Sequence, residues 1–145
     1  MATTFSMTRT VEFAETDMAG IVHFTNFYRW MEVCEHEFLR SLGLSVDTHT
    51  VEGRVGWPRV KTSCRFKRPL RFEDEVTLTL TVKELRDRSI VYAFDFHKTE
   101  DGETILAAHG ETIAACCLFD FKTQTLAPIP IPNEFLEKMT PSEIS

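Results

Sequence analysis

Residues 25–42, TNFYRWMEVCEHEFLRSL, place apolar side chains at intervals of three and four positions. These apolar positions are Phe27, Trp30, Met31, Cys34, Phe38, Leu39 and Leu42. The spacing predicts an amphipathic α-helix of about five turns, and Gly43 is a typical stop signal just beyond it. The positions off this stripe are polar, namely Asn26, Arg29, Glu32, Glu37 and Arg40. We therefore expect one long helix with a single buried face.

Beyond the helix, the pattern changes to the two-residue period of β-strands. Residues 75–85 place four apolar side chains on one face, namely Val76, Leu78, Leu80 and Val82. Residues 89–98 do the same with Ile90, Tyr92, Phe94 and Phe96. Asp101 and Gly102 then form a hairpin signal that leads into a last long strand over residues 104–119.

The secondary structure of the remaining segments is predicted from weaker patterns. Mixed alternation predicts a first strand over residues 5–15, and residues 58–67 predict a strand after the helix. We expect loops over residues 16–23 and 45–57. Three prolines make the C-terminal tail extended, with at most a short helical end near residues 133–138.

This order of elements predicts an α+β fold in which a five-stranded antiparallel sheet covers one long helix. A length of 145 residues fits a single domain over 1–145. A sheet of this size around one helix leaves another face to bury, so we expect a homo-oligomer.

Composition narrows the function classes. Sixteen basic and 22 acidic residues give a net charge of −6, which disfavours nucleic acid as the main partner. No apolar run approaches the roughly 20 residues of a membrane span, and we predict no signal peptide. The 4 cysteines form no C-x-x-C pair, and the histidines show no metal-ligand spacing. These features predict a reduced cytoplasmic protein with buried thiols, no metal and no cofactor.

A candidate for chemistry lies just before the helix. Asp17 stands in the predicted loop, and Gly20 permits close approach of a backbone. Helix N-termini carry free N–H donors that suit a carbonyl oxygen gaining negative charge. Asp17 could attack such a carbonyl or activate a water against it. A loop aspartate before a helix also serves as a simple cap or turn residue, so the residues alone leave both roles open.

The string Asp17-x-x-Gly20-Ile21-Val22-x-Phe24-x-x-Phe27, followed by Trp30 and Glu32, resembles the hotdog-fold 4-hydroxybenzoyl-CoA thioesterase family. Within it, the chain is most similar to the YbgC-like acyl-CoA thioesterases. The likeness extends from about residue 5 to residue 135, with supporting segments at residues 69–76, 88–89 and 127–130. It implies a five-stranded sheet wrapped around a central helix, assembled as a homodimer or homotetramer with the active site at a subunit interface.

The resemblance also implies roles for individual residues. Asp17 matches the family's catalytic carboxylate, acting as nucleophile or general base. The backbone N–H of Phe24 would polarise the thioester carbonyl, and Gly20 would let the loop close on substrate. Some YbgC-like members carry a Tyr and a His where this chain has Phe13 and Phe24. His23, one position earlier, is either an accessory catalytic residue or a helix cap.

A basic strand face suggests where a coenzyme A or carrier-protein phosphate would bind. Its candidate residues are Arg59, Lys61, Arg65, Lys67 and Arg68. The alternatives are a solvated strand face or ion pairs across a subunit contact. Glu32 is expected to be structural.

Three functions fit these features. The first is an acyl-CoA thioesterase, which the Asp-x-x-Gly signature favours. The others are a hotdog hydratase or dehydratase using Asp17 with His23, and a non-catalytic acyl-thioester binding protein. The twelve phenylalanines suit an apolar acyl pocket but equally a core, so the acyl group and its carrier stay open.

Overall fold

The structure is a computed structural model and describes residues 1–143. Its long helix α1 spans Phe24–Ser41, within one residue of the predicted bounds at each end. Six of the seven expected stripe residues are buried, and Leu42 packs against the core as a partly buried side chain. The helix ends in a turn at Gly43, whose φ of 75° lies in the left-handed region that glycine tolerates.

The main sheet has five antiparallel strands in the order β1-β5-β6-β7-β4. Their bounds are β1 Thr4–Thr10, β4 Arg59–Phe66, β5 Glu75–Leu85, β6 Ser89–Glu100 and β7 Glu103–Ala115. All eight apolar side chains predicted to face inward from β5 and β6 are buried. They pack against α1, as the ring contact of Phe27 with Phe96 at 5.3 Å illustrates. The predicted hotdog arrangement of sheet and helix is confirmed.

A second, smaller sheet was not predicted. Its order is β2-β3-β8-β9, with β2 Thr48–His49, β3 Gly53–Gly56, β8 Cys117–Asp120 and β9 Thr125–Pro128. The expected long strand over residues 104–119 breaks at Cys116 because its partner β6 begins at Ser89, which pairs with Ala115. Beyond that point, the chain finds new partners in β3 and β9. The expected loop over residues 45–57 contains β2 and β3.

The first predicted strand is shorter than expected, whereas the short helix predicted last is present. The strand expected over residues 5–15 stops at Thr10, and a short 3-10 turn follows at Phe13–Glu15. The C-terminal helical end is a short helix α2 over Asn133–Leu136, as expected. Residues 144 and 145 of the expected single domain lie outside the described residues.

Strand β4 is an edge strand with a bulge near its start. Its register against β7 shifts between Arg59 and Lys61. Arg59 therefore pairs with buried Ala114 and lies on the helix-facing side, together with Cys64. Lys61 and Arg65 lie on the opposite, outer side. The prediction that all these basic residues share one face is therefore wrong for Arg59, because the bulge shifts the alternation.

The thiols fit the expected structural role. Three cysteines are buried and Cys64 is partly buried, and none forms a disulfide. Burial raises the pKa of Cys34 to about 12 and that of Cys116 to about 11, which keeps both thiols protonated at neutral pH. Within residues 1–143, no helix has the length and apolar character needed to cross a bilayer.

Candidate active site

The Asp17 loop is a tight turn closed by its own backbone. The N–H of Asp17 donates to the carbonyl of Ile21 at 2.9 Å, and the N–H of Gly20 donates to the carbonyl of Asp17 at 2.9 Å. Gly20 has a φ of 78°, where a side chain would be strained. A bridge between Thr16 and Val22 completes the turn. The glycine is therefore needed for the turn that presents Asp17.

A buried carboxylate anchors this loop to the fold. Glu15 is 3% exposed, and its Oε2 accepts from Trp30 Nε1 at 2.6 Å and from Arg9 Nη2 at 3.0 Å. Its Oε1 accepts from the N–H of Glu12 at 2.8 Å. The carbonyl of Glu15 accepts from the Nδ2 of buried Asn26 at 2.8 Å. These contacts hold the residues before Asp17 against α1.

Sequence reasoning missed both anchors. Asn26 was expected off the buried stripe. It is buried instead, because at the start of α1 its Nδ2 donates a hydrogen bond to the carbonyl of Glu15. Glu15 lies two positions before Asp17, and a charged residue carries no burial signal of its own. The sequence offered one hint: Trp30 lies on the apolar stripe of the helix, and a buried indole N–H needs a hydrogen-bond acceptor such as the Glu15 carboxylate.

Asp17 and the start of α1 line one cavity of about 370 Å³. Its other walls are mainly apolar, and the lining residues include Ile21, Val22, Phe27, Phe66 and Leu70. Asp17 itself is exposed, and its Oδ1 accepts from the N–H of Ala19 at 2.8 Å. Phe24 contributes the first N–H of α1, which has no acceptor inside the helix. Asp17 and the first residue of α1 therefore line the same mainly apolar cavity.

His23 is the N-cap of α1. Its Nδ1 accepts from the N–H of Thr25 at 3.3 Å and lies 2.7 Å from Thr25 Oγ1. Its ring lies against Phe24, with centroids 4.8 Å apart, and it is not among the residues that line the cavity. This geometry supports the capping alternative for His23. Phe13 is exposed and packs edge-on against Phe72.

The five predicted basic residues fall into four groups. Lys67 and Arg68 line the cavity of Asp17. Arg65 lines a separate surface depression on the outer side of the sheet, which Lys67 also borders. Lys61 lines neither cavity. The structure thus brings two of the five predicted phosphate ligands to Asp17.

Arg59 has a different setting. Its guanidinium donates to Glu35 on α1 and to the carbonyl of Trp57. Glu35 is 2% exposed, and burial raises the pKa of its carboxyl to about 7 against the opposing effect of Arg59. Glu32, 3.9 Å from Arg59, is exposed. Glu35 was not predicted as a buried residue, although it follows Met31 by four residues and so shares the buried stripe.

The chain matches the thioesterase-like superfamily over residues 11–139. It is 29% identical over 140 residues to the 4-hydroxybenzoyl-CoA thioesterase of Pseudomonas sp. (strain CBS-3), covering 94% of this chain and 98% of that protein. It is 32% identical over 106 residues to a 1,4-dihydroxy-2-naphthoyl-CoA hydrolase of Prochlorococcus marinus (strain NATL1A), covering 68% of this chain and 69% of that protein.

Solved structures give the same result for the fold. A gentisyl-coenzyme A thioesterase superposes with a TM-score of 0.76 at 31% identity, covering 92% of this chain and 98% of the other. A mutant 4-hydroxybenzoyl-CoA thioesterase complexed with 4-hydroxybenzoyl-CoA superposes with a TM-score of 0.82 at 23% identity, covering 94% and 99%. These matches favour the thioesterase prediction over the hydratase and binding-protein alternatives. The chain therefore belongs to the thioesterase-like superfamily and has the hotdog fold.

Proposed function

We propose that this protein is an acyl-CoA thioesterase that uses Asp17 at the 370 Å³ cavity. The observation that carries this proposal is that Asp17 and Phe24, the first residue of the long helix, line one mainly apolar cavity. A thioester carbonyl placed there would contact a donor on its oxygen and an acceptor near its carbon. Lys67 and Arg68 stand at the same cavity as cations for the carrier's phosphates.

In this mechanism, the N–H of Phe24 donates to the carbonyl oxygen and stabilises the charge that develops there. One such donor is worth about 10²–10³ in rate. Asp17 then either attacks the carbonyl carbon or takes a proton from an attacking water. In both routes the carbon–sulfur bond breaks and the thiolate leaves. In the first route, water hydrolyses the resulting mixed anhydride and frees Asp17.

The lining favours an aromatic acyl group. Three aromatic side chains, Phe24, Phe27 and Phe66, face a cavity that is large enough for one or two rings. The relatives act by name on 4-hydroxybenzoyl-CoA and 1,4-dihydroxy-2-naphthoyl-CoA, both of which are aromatic. Lys61 and Arg65 remain candidates for more distant phosphates of the carrier, and a carrier-protein thioester is the alternative substrate form.

Self-association through β4 fits this function. The strand is at the edge of the sheet, with exposed apolar side chains at Val60 and Phe66. A second copy related by a twofold axis would pair with it antiparallel and extend the sheet. We propose a homodimer of this kind, or a homotetramer built from it. A cytoplasmic location agrees with a CoA substrate and with unpaired cysteines.

The test is thiol release from a panel of aromatic and aliphatic acyl-CoAs by the wild type and by Asp17→Asn. The amide keeps the shape of the side chain and its bond to Ala19 but can neither attack nor take a proton. We expect kcat to fall at least 10³-fold on the best substrate. Asp87→Asn, at an exposed surface carboxylate, is the matched control and should retain full activity. Undiminished turnover by Asp17→Asn would refute the proposed mechanism.

A further inference from the structure

The loop that carries Asp17 is closed at its base by a single carbonyl oxygen. The carbonyl of Glu15 accepts from the backbone N–H of His23 at 2.9 Å and from the Nδ2 of Asn26 at 2.8 Å. A carbonyl oxygen has two lone pairs, so these two donors satisfy it completely. Asp17 lies two residues after the acceptor of these bonds, and Phe24 lies directly after the first donor. The carboxylate and the helix N–H of the proposed mechanism are therefore both attached to this one junction.

The side-chain amide of Asn26 has a defined orientation at this junction. Its Oδ1 accepts from Arg29 Nη1 at 3.0 Å, while its Nδ2 donates to the Glu15 carbonyl. A flipped amide would set its oxygen against that carbonyl and its N–H₂ against the guanidinium, and both contacts would become repulsive. Asn26 is also buried, and its backbone N–H donates to the carbonyl of His23 at 2.9 Å. The amide is thus a fixed donor in the first turn of α1.

Two hydrogen bonds tie α1 to Glu15, and they act on different parts of that residue. The indole of Trp30 holds the side-chain Oε2, whereas Asn26 holds the backbone carbonyl. A side chain can rotate about its χ angles, so a bond to Oε2 leaves the backbone some freedom. The carbonyl belongs to the rigid peptide unit that leads into the loop. The bond from Asn26 therefore fixes the base of the loop more directly than the bond from Trp30.

We propose that Asn26 is a positioning residue for thioester hydrolysis, because its bond to Glu15 fixes the carboxylate of Asp17 relative to the N–H of Phe24. The inference rests on the proposed function and goes beyond it by assigning a role to a residue that does not line the cavity of Asp17. Without this bond, the base of the loop moves relative to α1, and the two groups meet the thioester out of alignment. A displacement of about 1 Å can cost about 10²-fold in rate. The walls of the cavity stay in place, so the loss falls on kcat rather than on KM.

The experiment measures kcat and KM of the wild type, Asn26→Leu and Asn26→Asp with the acyl-CoA that the wild type hydrolyses fastest. Leucine has a similar shape but no donor. Aspartate keeps an oxygen for Arg29 but sets its other oxygen against the Glu15 carbonyl. We expect kcat to fall about 10- to 100-fold in both variants, while KM changes less than about threefold. The Tm of Asn26→Leu should fall by only about 3–5 °C, since one hydrogen bond between neutral groups contributes little to stability.

Ser41→Ala is the matched control for the loss of a hydrogen bond. The Oγ of Ser41 donates to the carbonyl of Phe38 at 2.6 Å, at the opposite end of α1. The substitution removes the same type of bond, from a side chain to a backbone carbonyl, on the same helix but far along it from Asp17. We expect this variant to keep the kcat and the KM of the wild type.

Each other outcome contradicts a specific claim. Full kcat in Asn26→Asp would overturn the inference, because that variant keeps the shape and the Arg29 contact and lacks only the donor to Glu15. A raised KM with unchanged kcat would place Asn26 in substrate binding instead. An equal fall of kcat in Ser41→Ala, or loss of the fold in both Asn26 variants by circular dichroism, would make the role of Asn26 purely structural. A wild type that releases thiol from no acyl-CoA would refute the proposed function itself.

Discussion

Replacing Glu15 by Gln tests the anchor of the Asp17 loop. The carboxylate accepts from three donors, two on Oε2 and one on Oε1. A glutamine has a single acceptor oxygen. If that oxygen faces Trp30 and Arg9, the new amide N–H₂ meets the N–H of Glu12, and two donors oppose each other. If the amide is flipped, Trp30 and Arg9 lose their acceptor.

The magnitude follows from burial. Breaking a buried ion pair costs about 3–5 kcal/mol. The Glu15 side chain is 4% exposed but that of Arg9 is 22% exposed, so water can partly solvate the guanidinium after the substitution. We therefore expect a loss at the lower end, about 3 kcal/mol of unfolding free energy. For a chain of this length, that corresponds to a Tm lower by about 10 °C.

The assay is urea unfolding followed by tryptophan fluorescence and far-ultraviolet circular dichroism. Glu37→Gln is the control. Glu37 pairs with Arg40 on the exposed surface of α1, and this ion pair should contribute no more than about 0.5 kcal/mol to the free energy of unfolding. If the unfolding free energy of Glu15→Gln lies within 1 kcal/mol of the wild-type value, the carboxylate is not the anchor that the geometry indicates.

Two further predictions concern stability. Gly53→Ala would place a Cβ 1.9 Å from the carbonyl oxygen of Phe119, so it should cost at least about 2 kcal/mol by calorimetry, whereas Gly56→Ala, with no atom within 4 Å, should unfold like the wild type. Burial raises the pKa of Glu35 from 4.5 to about 7. Between these values the folded state holds a proton that the unfolded state has released, so this group's contribution to stability is full below pH 4.5 and is lost as pH rises through 7. The loss amounts to about 3 kcal/mol of unfolding free energy. Urea unfolding at several pH values across this range should show the loss in the wild type but not in Glu35→Gln. The same pH dependence in both proteins would contradict the assignment of this titration to Glu35.

The central elements could be predicted because their patterns are local. The stripe of α1 and the alternation of β5 and β6 each bury one face, and burial of an apolar face dominates the choice of local structure. The bounds of β5 agree with the prediction at both ends. The small sheet could not be predicted, since its strands have two to four residues and depend on where β6 stops.

The candidate site was only partly visible in the sequence. Asp17, Gly20 and the helix start lie close together along the chain, so their proximity follows from one turn. Lys67 and Arg68 join the cavity of Asp17 from a distant segment, and only the structure shows that Lys61 and Arg65 do not line it. Arg59 was assigned to the wrong face because a single bulge residue inverts the alternation.

The sequence by itself determined the elements with strong periods, the turn that presents Asp17 and, through its resemblance, the thioesterase class. Only the tertiary structure revealed the partners of the buried carboxylates Glu15 and Glu35, and the cavity that Lys67 and Arg68 share with Asp17. The reason is physical: apolar periodicity reports which face of an element is buried. The partners of a buried charge are set by atoms far apart in the chain that meet only once the sheet closes over α1.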